Sequence, residues 1–100
     1  MIKVIYDKHN RTISVDGHAG FAEEGKDIVC AAVSALTYAL EVAISLHPTY
    51  KGKASRYASI AHFYAEIGWR GRKAMQTIAE GLQLIAEQYP QYVKYEERRY

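Results

Sequence analysis

The sequence predicts an α+β domain in which an antiparallel β-sheet is layered with two α-helices, in the order ββα-β(β)-αβ. Apolar residues alternate through Ile2, Val4 and Tyr6, and again through Ile13 and Val15, on either side of the turn-forming DKHN. Such alternation about a turn reads as a β-hairpin. A second observation is the row Met75, Ile78, Leu82, Ile85 and Tyr89, whose steps of three and four mark a helix. Two prolines, Pro48 and Pro90, close the two helical patterns, because the residue before proline is pushed away from helical geometry.

The elements follow in order. The hairpin leads into a glycine-rich stretch from Gly17 to Gly25, and a helix is expected from Asp27 to Leu46. Residues 49–59 are basic and tyrosine-bearing without a clear period, which suggests a loop with a short strand. Ile60 to Ile67 reads as a strand. A second helix is expected from Arg70 to Tyr89, and Tyr92 to Glu97 forms a last strand with Val93 and Tyr95 on one face. Runs of strands and helices in this order make a layered α+β unit. Neither repeat nor linker interrupts it, so residues 1–100 are read as one domain.

Composition narrows the function. No run of about eighteen apolar residues is present to cross a bilayer. The opening MIKVIYDK lacks the apolar centre of a secretory signal, which points to the cytoplasm. A single cysteine cannot form an internal disulfide, and with scattered histidines it makes a poor zinc set. No metal or cofactor is expected, so any importance of Cys30 lies in its thiol.

Its position supports that. On the first helix an apolar stripe runs through Val29, Val33, Leu36, Leu40 and Ile44, while Asp27, Cys30, Ser34, Thr37 and Glu41 form a displaced polar stripe. A lone cysteine is most often a small core hydrophobe. The polar stripe and the first-turn position weaken that reading, because free N–H groups and the positive end of the helix dipole favour a thiolate. The N–H groups of Ile28 and Val29 are candidate oxyanion donors.

His18 lies twelve residues ahead of Cys30, just past the second strand. If the hairpin packs beside the first helix, its imidazole can serve as general base. A histidine near a strand end is more often a surface or hydrogen-bonded residue than a catalyst. Asp27 has two competing roles, as N-cap bonding the Cys30 N–H or as a carboxylate orienting His18. Ser34, one turn beyond Cys30, is placed to donate to a thiolate. Gly17, Gly20 and Gly25 supply turns, and also the freedom of a loop that opens for an extended peptide.

The segment GHAGFAEEGKDIVCAAVSAL, residues 17–36, closely resembles the signature of the Prp family of ribosomal-processing cysteine proteases. That signature pairs a GHA motif with G-x-D-[IL]-V-C-A-x-V-[ST]-A. The resemblance implies a cytoplasmic, homodimeric endopeptidase without cofactor. It removes a short N-terminal extension from large-subunit ribosomal protein twenty-seven, cutting after an aromatic residue. His18 then corresponds to the general base and Cys30 to the nucleophile, with Asp27 and Ser34 at supporting positions. The segment HPTYKGKASRYAS, residues 47–59, departs from the family pattern. Relatives in bacteriophage genomes make a capsid or scaffold precursor an alternative substrate.

Two other classes remain. Lys51, Lys53, Arg56, Arg70, Arg72 and Lys73, with Tyr50, Tyr57 and Trp69 among them, have the composition of an RNA-binding surface spanning residues 50–73. The net charge of only +2 favours a solvated basic face over a nucleic-acid partner. A structural homodimer with a vestigial site is the third reading.

Overall fold

The computed structural model describes residues 1–22, 26–46, 51–57, 60–67 and 69–99, with side chains described for 1–22, 26–44 and 71–99. The elements are β1 (Ile2–Asp7), β2 (Thr12–Asp16), α1 (Ile28–Leu46), β3 (Lys51–Tyr57), β4 (Ile60–Ile67), α2 (Trp69–Gln88) and β5 (Val93–Arg98). They build one five-stranded sheet in the order β3-β4-β2-β1-β5.

The α+β class and the element order match the expectation, but the sheet is mixed rather than antiparallel. The pairs β1–β2, β2–β4 and β3–β4 are antiparallel, whereas β5 lies parallel to β1 in the register Ile2↔Val93. The reason is the crossover. α2 carries the chain back along the sheet, so β5 starts at the end where β4 started and must run the same way. β3 is also longer than the short strand expected within 49–59. Its Lys51, Lys53 and Arg56 are poor strand formers, yet an edge strand gains its ladder from one neighbour and charged residues suit an edge.

One sheet face is apolar and the other polar. Ile2, Val4 and Tyr6 of β1, Ile13 and Val15 of β2 and Val93 of β5 are buried. Their alternating neighbours, among them Lys3, Lys94 and Glu96, are exposed. The helices cover the apolar face with Val29, Val33, Leu40 and Ile44 of α1 and Met75, Ala79 and Leu82 of α2. Truncating fully buried Leu40 or Leu82 to alanine is expected to cost about 2–5 kcal/mol. α1 and α2 meet closely at Gly81, where a Cβ would lie 3.0 Å from Leu36 Cδ1.

The displaced stripe of α1 is only partly exposed to water. Thr37 is buried, with its hydroxyl donating to the Ser34 carbonyl at 2.9 Å, and Cys30, Ser34 and Glu41 are half-buried. The exposed face of α1 is instead apolar and carries Ile28, Tyr38 and Val42.

The sheet has two distinct ends. The β1–β2 turn lies at one, where Asp7 Oδ1 accepts the Asn10 N–H at 2.9 Å, Oδ2 accepts Asn10 Nδ2 at 2.8 Å, and Arg11 adopts φ +59°. At the other end β2 stops at Asp16 and the chain turns through Gly17 toward α1.

Candidate active site

Cys30 enters the site through the way α1 begins. The helical ladder opens with the Ala31 N–H on the Asp27 carbonyl at 3.0 Å, so the preceding N–H groups have no helical acceptor. Asp27 fills one of them, accepting the Cys30 N–H on Oδ1 at 2.9 Å. This is an N-cap geometry. Its other oxygen, Oδ2, accepts the Phe21 N–H at 3.0 Å. Asp27 therefore ties the loop to the helix start, and among the described residues no hydrogen bond joins it to His18.

These bonds set the charge on Asp27. The Cys30 N–H is the main cause holding its carboxyl below the ordinary range; partial burial opposes this, and the N–H groups of Phe21 and Ala22 and the Cys30 thiol reinforce it.

Cys30 is half-buried and packs against the core without being enclosed by it. Its sulfur accepts the Ala19 N–H at 3.3 Å. Ala19 is itself buried, which anchors the loop beside the helix, and its neighbour His18 is exposed. Among the described residues no hydrogen bond links the imidazole to Sγ. The backbone thus brings the two residues together while the side chains remain apart.

Ser34 stands one turn along α1, but its hydroxyl makes no bond to Sγ among the described residues. The N–H groups of Ile28 and Val29 lie ahead of the first helical bond, as an oxyanion site requires. No group of three or more histidine, cysteine or acidic side chains with metal-binding geometry occurs among the described residues.

The glycines divide. Gly17 adopts φ +103°, and a Cβ there would overlap the Met1 carbonyl oxygen. It is needed for both its angle and its lack of a side chain. Gly20 adopts φ +69° with open space around it, so only the angle matters. Gly25 lies outside the described residues, as do the side chains of Lys51, Lys53, Arg56 and Arg70.

A contact that the sequence did not reveal fixes the loop from its outer side. The Phe21 ring meets Tyr92 edge-on at 5.2 Å between centroids and Tyr89 at 5.9 Å. The Tyr89 carbonyl accepts the N–H groups of Tyr92 and Val93, both at 3.0 Å, so the turn after α2 presents both rings together. The apolar spacing that identified Tyr89 as a helix residue gives no hint of a partner so far away in the chain.

Comparison with known proteins agrees with this arrangement. The family model for cysteine protease Prp matches residues 1–94. The ribosomal processing cysteine protease Prp of Mycoplasma pneumoniae is 31% identical over 102 residues, covering 99% of this chain and 97% of that protein. The fold superposes on S. aureus ribosomal processing protease Prp carrying a covalently linked product peptide, with TM-score 0.88, 24% identity and coverage of 98% of this chain and 100% of that one. A second S. aureus Prp structure, with a substrate peptide, gives TM-score 0.81 at 23% identity, covering 98% and 100% of the two chains. A match that runs through both the GHA segment and the cysteine helix, in the fold this sheet displays, settles the classification: the chain belongs to the Prp family of cysteine proteases.

Proposed function

We propose that this protease removes a short N-terminal extension from large-subunit ribosomal protein twenty-seven, with Cys30 as nucleophile and His18 as general base. The observation that carries the assignment is the Ala19 N–H on Cys30 Sγ, which holds the residue after His18 against the sulfur. The name of the M. pneumoniae relative, a ribosomal processing enzyme, favours a ribosomal precursor over a phage capsid or scaffold protein.

In this reading the exposed imidazole swings inward when peptide binds and takes the thiol proton. Sγ attacks the scissile carbonyl carbon, and the oxyanion faces the N–H groups of Ile28 and Val29. The tetrahedral adduct collapses to a thioester as the imidazolium gives its proton to the leaving amine. Water, deprotonated by the same imidazole, then attacks the thioester, releasing the acid product and restoring the thiol. Asp27 positions Cys30 through its backbone rather than orienting the histidine. The part of the loop beyond Ala19, from Gly20 on, is the element that moves aside for the extended peptide, while the Ala19 N–H keeps His18 beside the sulfur.

The enzyme acts as a homodimer in the cytoplasm. The apolar outer face of α1, with Ile28 and Val42 each more than half exposed, supports a second copy as its cover. Sedimentation equilibrium on the wild type and Val42→Glu tests this, with the variant expected to be monomeric.

Incubation with leader-bearing ribosomal protein tests the chemistry. Wild type is expected to yield the shortened product, and Cys30→Ala and Cys30→Ser none. Continued cleavage by Cys30→Ala would overturn the assignment.

A further inference from the structure

A second concave surface lies at the opposite end of the sheet from Cys30. It is a cleft of about 540 Å³ between the β1–β2 turn and the start of α2, lined by Tyr6, Lys8, His9, Arg11, Arg72, Met75 and Gln76. Its volume falls within the range of small-ligand pockets, about 300–1,000 Å³. Three fixed cations converge there from two elements distant in sequence. Lys8 and Arg11 come from the turn, and Arg72 from the first turns of α2.

Among the described residues Arg11 and Arg72 make no ion pair and no hydrogen bond. Lys8 is engaged, at 3.5 Å from Glu97, and that carboxylate is shared with Arg99 at 3.2 Å. Guanidinium groups left unpaired around a cleft suit planar, bidentate capture of phosphate oxygens. The geometry of Arg11 is built for the place: φ +59° is uncommon for a residue with a side chain, and the Asp7–Asn10 bonds hold the turn that imposes it.

The carboxylates near the cleft set where an anion sits. Glu97 and Glu80 both act on the Tyr6 hydroxyl, and burial is the larger cause keeping that group above its usual range. Gln76 Nε2 donates to Glu80 Oε1 at 3.4 Å. An anion is repelled from that side and drawn toward Arg11 and Arg72. Exposed Lys73 adjoins Arg72, and by register Lys51 of β3 pairs with Ile67 at the same end of the sheet. Part of the basic segment thus lies at the end of the sheet that carries the turn cations, whereas Arg56, opposite Ala61, lies toward the other end.

The geometry points to a binding site for a phosphate-bearing polyanion, held by Arg11 and Arg72 with Lys8 and separate from the proteolytic site. β2 alone keeps the two ends about 15 Å apart, so both sites are open to simultaneous occupancy. The phosphates come either from single-stranded RNA or from a free polyphosphate ligand such as a nucleotide.

Calorimetry on the full chain at low salt, with inorganic tripolyphosphate and with a ten-nucleotide oligouridylate as separate probes, tests the site. At least one probe is expected to bind, and the double variant Arg11→Asn/Arg72→Gln to weaken it about tenfold or more. Asparagine is chosen at position 11 because it tolerates the left-handed backbone. The double variant should still cleave a leader peptide at the wild-type rate, which verifies its fold. Glu80→Gln should tighten binding. Oligouridylate binding much more tightly, with steep salt dependence, identifies RNA as the source, and tripolyphosphate binding equally well or better identifies a free ligand. Binding of neither probe, affinities unchanged in a cleavage-competent double variant, or equal binding of polyglutamate would each overturn the proposal.

Discussion

The backbone N–H of Ala19 donates to Sγ of Cys30 across 3.3 Å, joining the loop after β2 to the first turn of α1 through the only thiol in the chain. The histidine side chain beside this bond is exposed and makes no bond to the sulfur among the described residues. Among the described residues a backbone bond, not a side-chain bond, joins the histidine-bearing loop to the cysteine.

His18→Ala should therefore separate catalysis from stability. An exposed side chain such as His18 contributes within about 0.5 kcal/mol to folding. Removing a general base costs about a hundredfold or more in turnover. Thermal denaturation and leader-peptide cleavage on the same preparation check both halves, and a large drop in melting temperature would contradict the assignment.

Asp27 gives a prediction in pH. Its carboxyl is held below the ordinary value because the Cys30 N–H, foremost, bonds its ionised form. A lowered folded-state value means the contribution is fully present above the unfolded value, about 3.9. It is lost as pH falls through the folded value. The stability difference between wild type and Asp27→Asn should be constant from pH 5 to 7 and shrink below about pH 4. Denaturation across that range measures it.

The two glycines should respond differently to alanine. Gly20→Ala introduces an unfavourable left-handed backbone costing about 1–2 kcal/mol. Gly17→Ala meets the same backbone cost and also the Met1 carbonyl, so its loss of stability should be distinctly larger. Paired denaturant melts give the comparison.

Phe21→Ala removes two edge-on ring contacts, with Tyr89 and Tyr92, each worth about 0.5–1.5 kcal/mol. The amides flanking position 21 should exchange with solvent roughly fivefold faster or more. Unchanged exchange would mean that the rings do not hold the loop closed.

The sequence was informative where local pattern decides the outcome. α2 was legible because Met75 and Leu82 recur at helical spacing against polar neighbours, and the hairpin because Ile2, Val4 and Tyr6 alternate. The direction of β5 was not, since Val93 and Tyr95 read the same in a parallel or an antiparallel ladder. The full length of β3 is hidden because Lys51 and Lys53 disguise a strand whose ladder comes from β4. In the candidate site, the motif singles out His18 and Cys30, while for Asp27 the sequence leaves the cap and the histidine-orienting role both open. The Ala19 donor was invisible because every residue but proline has such an N–H. The role of Phe21 is hidden in the sequence because its partners, Tyr89 and Tyr92, lie far along the chain.

The parallel seating of β5 beside β1 has a bearing on how the enzyme comes into being. The Ile2 N–H donates to the Tyr92 carbonyl at 2.8 Å, and the rings that grip Phe21 belong to the same late segment. A nascent polypeptide that has already exposed its thiol helix still lacks the strand that completes the sheet and the aromatic clasp over its loop. Loss of β5 and the turn before it would thus remove both the ladder beside β1 and the aromatic clasp over the loop that carries the Ala19 donor.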